Sequence, residues 1–561
     1  MEKIWLKSYP PGIPADINPR ELRSLKQLIE DSCRDFAHRQ AFIQMGKAMS
    51  YAELDARSRA FGAWLQAAGL MRGDRVAIMM PNLLQYPIAL FGALRAGLTV
   101  VNTNPLYTAP ELEHQLNDSG ATTLVVLENF AHVAQQVLPR TRVRHVIVTA
   151  VGDLLGAPKS ALVNFVVRHV RKQVPPWRIE GAVDFRTVLA QGAGRTLGEV
   201  ALGADDIAFL QYTGGTTGVA KGAMLTHGNI CANLLQALAW VKPYLPTAQD
   251  SAQYLMTPIP LYHIFALTAN CLLFTRLGWT NVLVVNPRDI KSLVAELRRY
   301  PVSMLTGVNT LFNAMLNSPD FRLVDFGPLK IALGGGMAVQ EQVARRWKEA
   351  TGKPLTQAWG LTETSPAACI NLPFTDFNGS IGLPVPSTEI SIRDDAGNEL
   401  PLGSSGELCV RGPQVMRGYW NRQDETAKVM LPQGWLKTGD VGRMDERGFV
   451  YLEDRKKDMI LVSGFNVYPN EVEEVVASHP GVAEVAAVAQ KDEHSGESVA
   501  IFVVRKDPAL TAQDLVDWCR KSLTGYKVPH HVYFRDELPK TNVGKILRRA
   551  LRDQLPGAAA G

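Results

Sequence analysis

The chain is poor in cysteine and has no cysteine cluster. Its six cysteines are spread over 561 residues, and no two of them have the short spacing of a metal site. Zinc sites and redox motifs both depend on such closely spaced pairs. The cysteine pattern therefore indicates a reduced protein of the cytoplasm.

Long uninterrupted apolar runs are also absent. Charged residues appear as early as Glu2, Lys3 and Lys7, so we expect no secretory signal. The most apolar long window, residues 76–101, is interrupted by polar or helix-breaking residues, namely Pro81, Asn82, Gln85, Pro87 and Arg95. The sequence therefore predicts no transmembrane helix.

A strong excess of one charge is missing as well. The formal net charge is +5, from 59 basic and 54 acidic residues, and so small an excess does not indicate a nucleic-acid-binding protein. Apolar residues make up 46% of the chain and charged residues 20%, which is typical of a globular protein with a sizeable core. At about 150 residues per domain, the length predicts several packing units.

One segment, residues 154–179, combines five basic residues with no acidic one. Within it Leu162, Phe165, Val166 and Val170 fall near one helical face. A basic amphipathic helix of this kind can lie on an anionic membrane surface. The membrane contact would then be peripheral, at the inner face of the cytoplasmic membrane. The alternative is a surface helix that packs on its own domain.

Strand-like and helix-like segments alternate through residues 20–150. Apolar strand candidates lie at 74–80, 99–101, 124–127 and 145–148. This alternation predicts an α/β fold with doubly wound parallel sheets. From about Ser387, short strand candidates separated by turns predict a small antiparallel or barrel-like unit. Residues 458–561 are expected to form a separate α+β lid.

A glycine-rich loop follows the apolar strand predicted at 207–212. Residues 212–223 contain four glycines, three threonines and Lys221. Free main-chain N–H groups, hydroxyls and a cation together suit an oxyanion such as phosphate. The loop is not a Walker A motif, because Lys221 lies between Ala220 and Gly222 and no Gly-Lys pair precedes Ser or Thr. A flexible surface turn is the alternative.

Several other segments carry groups suited to a nucleotide. Three successive glycines, residues 334–336, allow a flat ligand such as a purine to lie against the main chain. Trp359 offers an aromatic plane, and Glu363 offers a carboxylate of the kind that holds Mg²⁺ beside a polyphosphate. Asp440 can accept hydrogen bonds from ribose hydroxyls. Lys545 lies on an exposed-looking turn, where it would be a mobile cation.

A substrate pocket is predicted around Tyr262, His263 and Phe265, at a strand end beside an apolar helix. A single histidine fits a structural role as well as a functional one. The charged cluster at 454–458 fits either a solvated turn or a hinge.

These blocks, in this order, resemble the adenylate-forming superfamily of acyl-CoA synthetases, adenylation domains and luciferases. The matching blocks are 212–223, 359–363, 438–440, 454–457 and the turn of Lys545. The resemblance extends over nearly the whole chain. Segment 434–457 is similar to the fatty acyl-CoA synthetase signature, and three further segments are similar to bacterial long-chain members, namely 81–86, 464–469 and 542–549.

The resemblance implies an activity and an organisation. The chain would use ATP and Mg²⁺ to convert a long-chain fatty acid into an acyl-adenylate and pyrophosphate. It would then transfer the acyl group to CoA, as a supply for β-oxidation. An N-terminal domain, residues 1–456, would hold ATP and the fatty acid, and a mobile lid, residues 457–561, would carry the catalytic lysine. Homodimer formation is a further expectation.

The resemblance also implies roles for individual residues. Lys545 would bridge the carboxylate and the α-phosphate, and Glu363 would hold Mg²⁺ with a loop threonine, here assigned to Thr213. The family usually has tyrosine at the position of Trp359, so a hydroxyl is lost. The expected nucleotide contacts are Thr213, Gly214, Gly215, Thr216, Thr217, Gly218, Val219, Ala220, Lys221, Gly222, Ala223, Met224, Gly334, Gly335, Gly336, Trp359, Gly360, Thr362, Asp440 and Arg455.

The remaining expected roles concern the fatty acid and CoA. Fatty-acid contacts would be Tyr262, His263, Phe265 and Val308. Lys457 would be the hinge about which the lid rotates, and CoA would approach Gly464 and Phe465. Lys221 is expected to be a charge on the β/γ side or a loop stabiliser, and not the catalytic lysine.

Three alternatives stay open at this point. Within the class, the substrate could be a medium-chain or aryl acid, because the sequence does not give the depth of the pocket. An adenylation domain that feeds a carrier protein is a second alternative, although no carrier-like segment follows residue 550. In a different class, a non-catalytic fatty-acid binding or uptake protein would not need Glu363, Asp440 and Lys545 together.

Overall fold

The fold contains four β-sheets in the part of the chain that a computed structural model describes, residues 2–213, 220–245, 252–492 and 495–555. The strand and helix alternation predicted for residues 20–150 is confirmed. Its second helix, Tyr51–Ala67, begins at the capping box of Ser50 and Glu53.

The largest sheet has nine strands, parallel in the middle and antiparallel at both edges. Its strands lie in the order Leu383–Pro384, Ala367–Ile370, Leu355–Gly360, Ile331–Gly335, Val302–Gly307, Tyr254–Thr257, Thr280–Leu283, Gln40–Gln44 and Lys47–Ser50. The glycine turn and the strand of Trp359 are neighbours in this sheet, so their ends lie at one edge.

The second sheet has seven strands and is parallel except for its last pair. The strands lie in the order Val183–Asp184, His145–Thr149, Thr123–Leu127, Arg75–Met79, Thr99–Asn102, Ile207–Thr213 and Lys221–Thr226. The antiparallel pair at the end flanks the glycine-rich loop.

The unit predicted from Ser387 onward is an antiparallel sheet of five strands. The order is Glu389–Arg393, Gly406–Arg411, Trp435–Met444 and Met430–Leu431, and Val450–Arg455 also pairs with Trp435–Met444.

The lid contains the fourth sheet, also of five strands. Its order is Phe465–Val467, Ile460–Val462, Gly496–Arg505 and Val482–Asp492, and His531–Arg535 pairs in parallel with Gly496–Arg505.

Helices pack around these sheets. Their bounds are Leu25–Asp35, Tyr51–Ala67, Gln85–Arg95, Ala109–Ser119, Ala131–Val137, Lys159–Phe165, Phe185–Ala193, His227–Val241, Ile264–Ala266, Leu273–Arg276, Ile290–Arg299, Asn309–Leu316, Glu341–Thr351, Gln423–Val429, Pro469–Ala477, Ala512–Arg520 and Arg548–Arg552. Two π-helical turns, Val166–Val170 and Leu267–Leu272, continue neighbouring helices.

The apolar window at 76–101 forms part of the core. Its helix Gln85–Arg95 is buried over its whole length. The polar side chains have partners inside: Gln85 donates to the carbonyl of Ala150 at 2.9 Å, and Arg95 pairs with Asp55 at 2.9 Å. Buried polar groups are tolerated when they are paired in this way. Across the described ranges, no helix has both the length and the apolarity to cross a membrane.

The basic segment forms a short helix at the surface. Its helix covers only residues 159–170, and Leu162, Phe165 and Val170 are 56–64% exposed. The helix docks instead through Asn164, whose amide oxygen accepts from the N–H of Gly152 at 2.7 Å. The predicted apolar face therefore points away from the core.

Candidate active site

One cavity of about 1160 Å³ is lined by residues of all four sheets. The glycine-rich loop flank, the glycine turn, the antiparallel sheet and the lid each contribute to its wall. The predicted site residues that line it are Thr213, Lys221, Tyr262, His263, Phe265, Gly335, Gly336, Trp359, Gly360, Thr362, Glu363, Asp440, Arg455, Lys457 and Lys545.

Other predicted residues lie outside the lining. Gly334 faces a neighbouring side chain, because a Cβ added there would lie 2.7 Å from Val339. Val308 is buried beneath the turn that carries Lys545, and Phe465 stacks on Tyr526 at a centroid distance of 4.9 Å. Ala220, Gly222, Ala223, Met224 and Gly464 are also absent from the lining. The predictions for Gly214, Gly215, Thr216, Thr217, Gly218 and Val219 fall outside the described residues.

The strand that follows the glycine-rich loop is held by segment 417–420. The Met224 N–H donates to the Gly418 carbonyl at 2.9 Å, and the Trp420 N–H donates to that of Gly222 at 2.8 Å. These bonds fix strand Lys221–Thr226, whose residues 222–224 lie outside the cavity lining. Lys221 pairs with Glu425 of helix Gln423–Val429 at 2.6 Å.

Glu363 has a partner that the sequence did not reveal. The Tyr419 hydroxyl donates to Glu363 Oε1 at 2.7 Å, and the Lys221 amine lies 4.8 Å from the centre of the same tyrosine ring. This bond holds Glu363 in one orientation and involves only Oε1, so the second carboxylate oxygen, Oε2, takes no part in it. No three His, Cys, Asp or Glu side chains cluster as a metal cage anywhere in the described ranges. A single oriented carboxylate fits Mg²⁺, which is usually held by one or two carboxylates and by substrate phosphates.

Trp359 and Asp440 form a buried pair between two sheets. The indole N–H donates to Asp440 Oδ2 at 2.8 Å, while Arg455 Nε lies 3.4 Å from Oδ1. Burial raises the pKa of Asp440, and Arg455 and the indole N–H act in the opposite direction. A carboxylate placed beside an aromatic plane in this way can bind ribose hydroxyls next to a stacked base.

The turn of Lys545 is folded against the large domain, contrary to the exposed position predicted for it. The Thr310 hydroxyl donates to the Gly544 carbonyl at 2.8 Å. A Cβ added at Gly336 would lie 3.5 Å from the Lys545 amine, so the glycine makes room for the lysine. Desolvation lowers the pKa of Lys545 to about 8, with Arg455 acting in the same direction and Asp440 against it.

The charged cluster at 454–458 is packed at one end and exposed in the middle. Arg455, Lys456 and Lys457 are exposed and residues 456–458 form a turn, as in the solvated-turn alternative, whereas Asp454 belongs to a packed junction. Asp454 is 1% exposed and accepts from Arg548 Nη1 at 3.1 Å and from the Asn470 N–H at 2.8 Å. Arg548 also pairs with Glu473 at 2.9 Å. Desolvation lowers the pKa of Lys457 to about 8. Arg548 and Glu473 escaped prediction because they lie in ordinary helices.

Part of the cavity lining is apolar, and we call this part the apolar branch. It includes Ala237, Val241, Ala269, Leu273, Ile370 and Ile381. His263 Nδ1 accepts from the Phe265 N–H at 3.3 Å, and burial lowers the pKa of His263 to about 3. The imidazole is therefore neutral at pH 7, with its proton on Nε2. A neutral donor in the same cavity as this apolar lining suits an acid with a long apolar tail.

Comparison with known proteins shows the family to which this chain belongs. The profile of the AMP-binding enzymes matches residues 29–420, and that of the AMP-binding enzyme C-terminal domain matches residues 471–545. The chain belongs to the AMP-binding enzyme family.

Individual relatives narrow the comparison. A long-chain-fatty-acid–CoA ligase of Escherichia coli is 56% identical over 559 residues, which cover 99% of each chain. One of Yersinia pestis is 56% identical over 556 residues, covering 99% of this chain and 98% of the relative. Among solved structures, an anthranilate CoA ligase in complex with anthranoyl-AMP has the same fold, with a TM-score of 0.85 at 23% identity, covering 96% of this chain and 99% of the other.

Proposed function

We propose that this chain is an ATP-dependent long-chain fatty-acid–CoA ligase. The enzyme converts the fatty acid into an acyl-adenylate and then into acyl-CoA, and it releases pyrophosphate and AMP. The observation that carries the proposal is the meeting of Lys545, Asp440, Trp359 and Glu363 in one cavity with an apolar branch. The identity with the two bacterial ligases supports the same substrate class. The product would feed fatty-acid β-oxidation.

In the first step, a carboxylate oxygen attacks the α-phosphorus of ATP. The new bond joins acyl oxygen to phosphorus, and the bond to the bridging oxygen breaks as pyrophosphate leaves. Both reactants are anionic, so cations and fixed dipoles are needed for them to approach. Lys545 bridges the carboxylate and the α-phosphate, and His263 donates from Nε2 to the fatty acid. Trp359 stacks on adenine, and Asp440 binds the ribose.

The glycine-rich loop binds the phosphates that leave. Lys221 stabilises the loop through Glu425 and is not the reacting cation. Glu363, oriented by Tyr419, would hold Mg²⁺ together with a loop threonine, for which Thr213 is the candidate that lines the cavity. Bound Mg²⁺ would neutralise charge on the phosphates.

In the second step, the CoA thiol attacks the acyl carbonyl. A carbon–sulfur bond forms as the thiol loses its proton to water, the bond from the acyl carbon to the phosphate oxygen breaks, and AMP leaves. We infer that the lid rotates about Lys457, withdraws Lys545 and brings the loop of Gly464 and Phe465 to the thiol. Phe465 is 57% exposed, which supports the proposal that this loop binds no substrate before the lid rotates. Closure of the lid protects a hydrolysable anhydride from water.

The lysine role is tested by separating the two half-reactions. Lys545→Ala should lose oleate-dependent pyrophosphate release by at least about 100-fold, because the cation that joins two anionic reactants is gone. Thioester formation from supplied oleoyl-adenylate and CoA should persist. Lys521→Ala, which removes an exposed lid lysine, is the matched control and should change neither rate. Normal pyrophosphate release by Lys545→Ala would overturn the assignment.

A medium-chain or aryl acid is the second candidate substrate. The solved relative with anthranoyl-AMP shows that this fold accommodates an aryl acid. ATP–pyrophosphate exchange with oleate, octanoate and benzoate separates the candidates. A non-catalytic fatty-acid binder would give no exchange with any of them.

We also propose peripheral contact with an anionic membrane through residues 159–172. Leu162, Phe165 and Val170 face solvent there beside Arg171 and Lys172, which are exposed. Each apolar side chain buried in the interface adds to the attraction between the cations and anionic lipid. The protein would accordingly work in the cytoplasm at the membrane surface.

Vesicle sedimentation tests the membrane contact. Arg168 pairs with Glu128 at 2.8 Å and should be left intact. Phe165→Glu combined with Arg171→Glu and Lys172→Glu should lower binding to anionic phospholipid vesicles at least about fivefold. Leu323→Glu alters an exposed apolar residue elsewhere, 56% exposed, and should leave binding unchanged. Equal binding by the triple variant and the parent would contradict the contact.

A further inference from the structure

The indole N–H of Trp359 makes a hydrogen bond inside the protein. The proposed stacking of the ring on adenine does not explain what this bond does. The N–H donates to Asp440 Oδ2 at 2.8 Å, and both residues are buried, at 7% and 4% exposure. If the ring served only as a stacking surface, its N–H donor could bind any nearby acceptor. Here it binds the carboxylate that we place on the ribose.

The pair joins two different sheets. Trp359 belongs to strand Leu355–Gly360 of the nine-stranded sheet, and Asp440 belongs to strand Trp435–Met444 of the antiparallel sheet. Asp440 is also held from its own side, because its N–H donates to the Thr438 hydroxyl at 3.1 Å. The backbone and one carboxylate oxygen of Asp440 are thus held, and Oδ1 faces Arg455 at 3.4 Å.

We propose that Trp359 is a positioning residue for ribose recognition, acting through Asp440. The indole N–H holds Oδ2 and so orients the carboxylate, which then presents its remaining acceptor positions to the ribose hydroxyls of the nucleotide. This inference rests on the proposed use of ATP, but it does not depend on which acid is activated.

The chemistry of the donor makes the role specific. An indole N–H can only donate, so it favours the ionised carboxylate, which is an acceptor at both oxygens. A phenylalanine would keep an aromatic plane but would leave Oδ2 without this donor. The other charged groups near Asp440 are Arg455, Asp454 and Lys545. Burial raises the pKa of Asp440, and the indole donor opposes that rise.

The test compares two nucleotides that differ only in the ribose. Trp359→Phe should weaken the binding of ATP about tenfold, the size expected for a hydrogen bond to a charged group. It should weaken 2′,3′-dideoxy-ATP much less, because that nucleotide lacks the hydroxyls that Asp440 binds. Calorimetric titration without a fatty acid measures both dissociation constants, so the result is independent of the acid specificity.

Two further variants make the result decisive. Replacement of Trp359 by 3-benzothienylalanine keeps the bicyclic ring without the N–H, and it should reproduce the selective loss even if phenylalanine disturbs packing. In an Asp440→Ala background, Trp359→Phe should have no further effect on the preference for ATP. Equal weakening of both nucleotides, or no weakening of either, would overturn the proposal. Failure of the parent protein to bind ATP would instead overturn the proposed function.

Discussion

At the scale of single residues, Lys545 shows how burial tunes a functional group. The turn carries the lysine out of water and toward Gly336, and desolvation lowers its pKa to about 8. The protonated amine is the form that attracts a carboxylate and a phosphate. Its charge is therefore present below about pH 8 and is lost as the pH rises through that value.

The pH dependence of the adenylation half-reaction follows from this pKa. The value of kcat/KM for ATP should fall above about pH 8, approaching about tenfold per pH unit as one essential proton is lost. Thioester formation from supplied oleoyl-adenylate should not show this decline. Pyrophosphate release measured between pH 6.5 and 10 provides the profile.

The variant Lys545→Arg tests whether loss of the Lys545 proton causes the alkaline decline in kcat/KM. Arginine keeps its charge throughout this pH range, so the alkaline decline should disappear from whatever activity the variant retains. An unchanged decline would assign it to another group, such as Lys457, whose pKa is also lowered to about 8.

At the scale of elements, two helical segments contribute to the lining of the proposed fatty-acid pocket. Helix His227–Val241 contributes Ala237 and Val241 to the apolar branch, and the π-turn Leu267–Leu272 contributes Ala269. Ala237 and Ala269 have small side chains, which occupy little of the proposed pocket. The same elements with large side chains would close the branch.

Ala269→Phe should shorten the accepted acid. A phenyl ring in the apolar branch would displace several methylenes, each of which contributes about 0.8 kcal/mol when buried. We expect kcat/KM for oleate to fall at least about tenfold, whereas that for octanoate should change little. Exchange rates across even chain lengths measure the shift, and Ala269→Ser is the matched control. An equal loss of kcat/KM for both acids would show that the acyl chain of the substrate binds elsewhere in the protein.

At the scale of the whole molecule, the junction between the large domain and the lid is electrostatic. Arg548 lies among Asp454, Asp458 and Glu473, with distances of 3.1, 3.7 and 2.9 Å. Asp454 precedes the predicted hinge Lys457, and the other groups follow it. The network therefore seats the lid in the arrangement that places Lys545 in the cavity.

Arg548→Met should destabilise this arrangement strongly. It leaves three carboxylates without their shared cation, which typically costs about 3–5 kcal/mol for a buried charge network. Urea unfolding followed by circular dichroism measures the change. Arg520→Met breaks an ion pair whose side chains are 61% and 53% exposed, and should cost under about 1 kcal/mol. Similar losses for both variants would contradict the network's role.

Much of the local structure was predictable because it depends on neighbours in the chain. The capping box of Ser50 and Glu53 and the helix start at Thr226 follow from side chains that reach their own backbone. The alternation of strands and helices follows from apolar periodicity. Most of the expected cavity residues lie in such recognisable segments.

The sequence by itself determined the chemical groups of the site and their order along the chain. The tertiary structure alone decided which groups meet. Tyr419 reaches Glu363 across 56 residues of chain, and Trp359 reaches Asp440 across 81. The packing of separate sheets sets these contacts, so no local pattern encodes them. It likewise turned Leu162, Phe165 and Val170 toward solvent, because Asn164 found partners in Gly152 and Asp153.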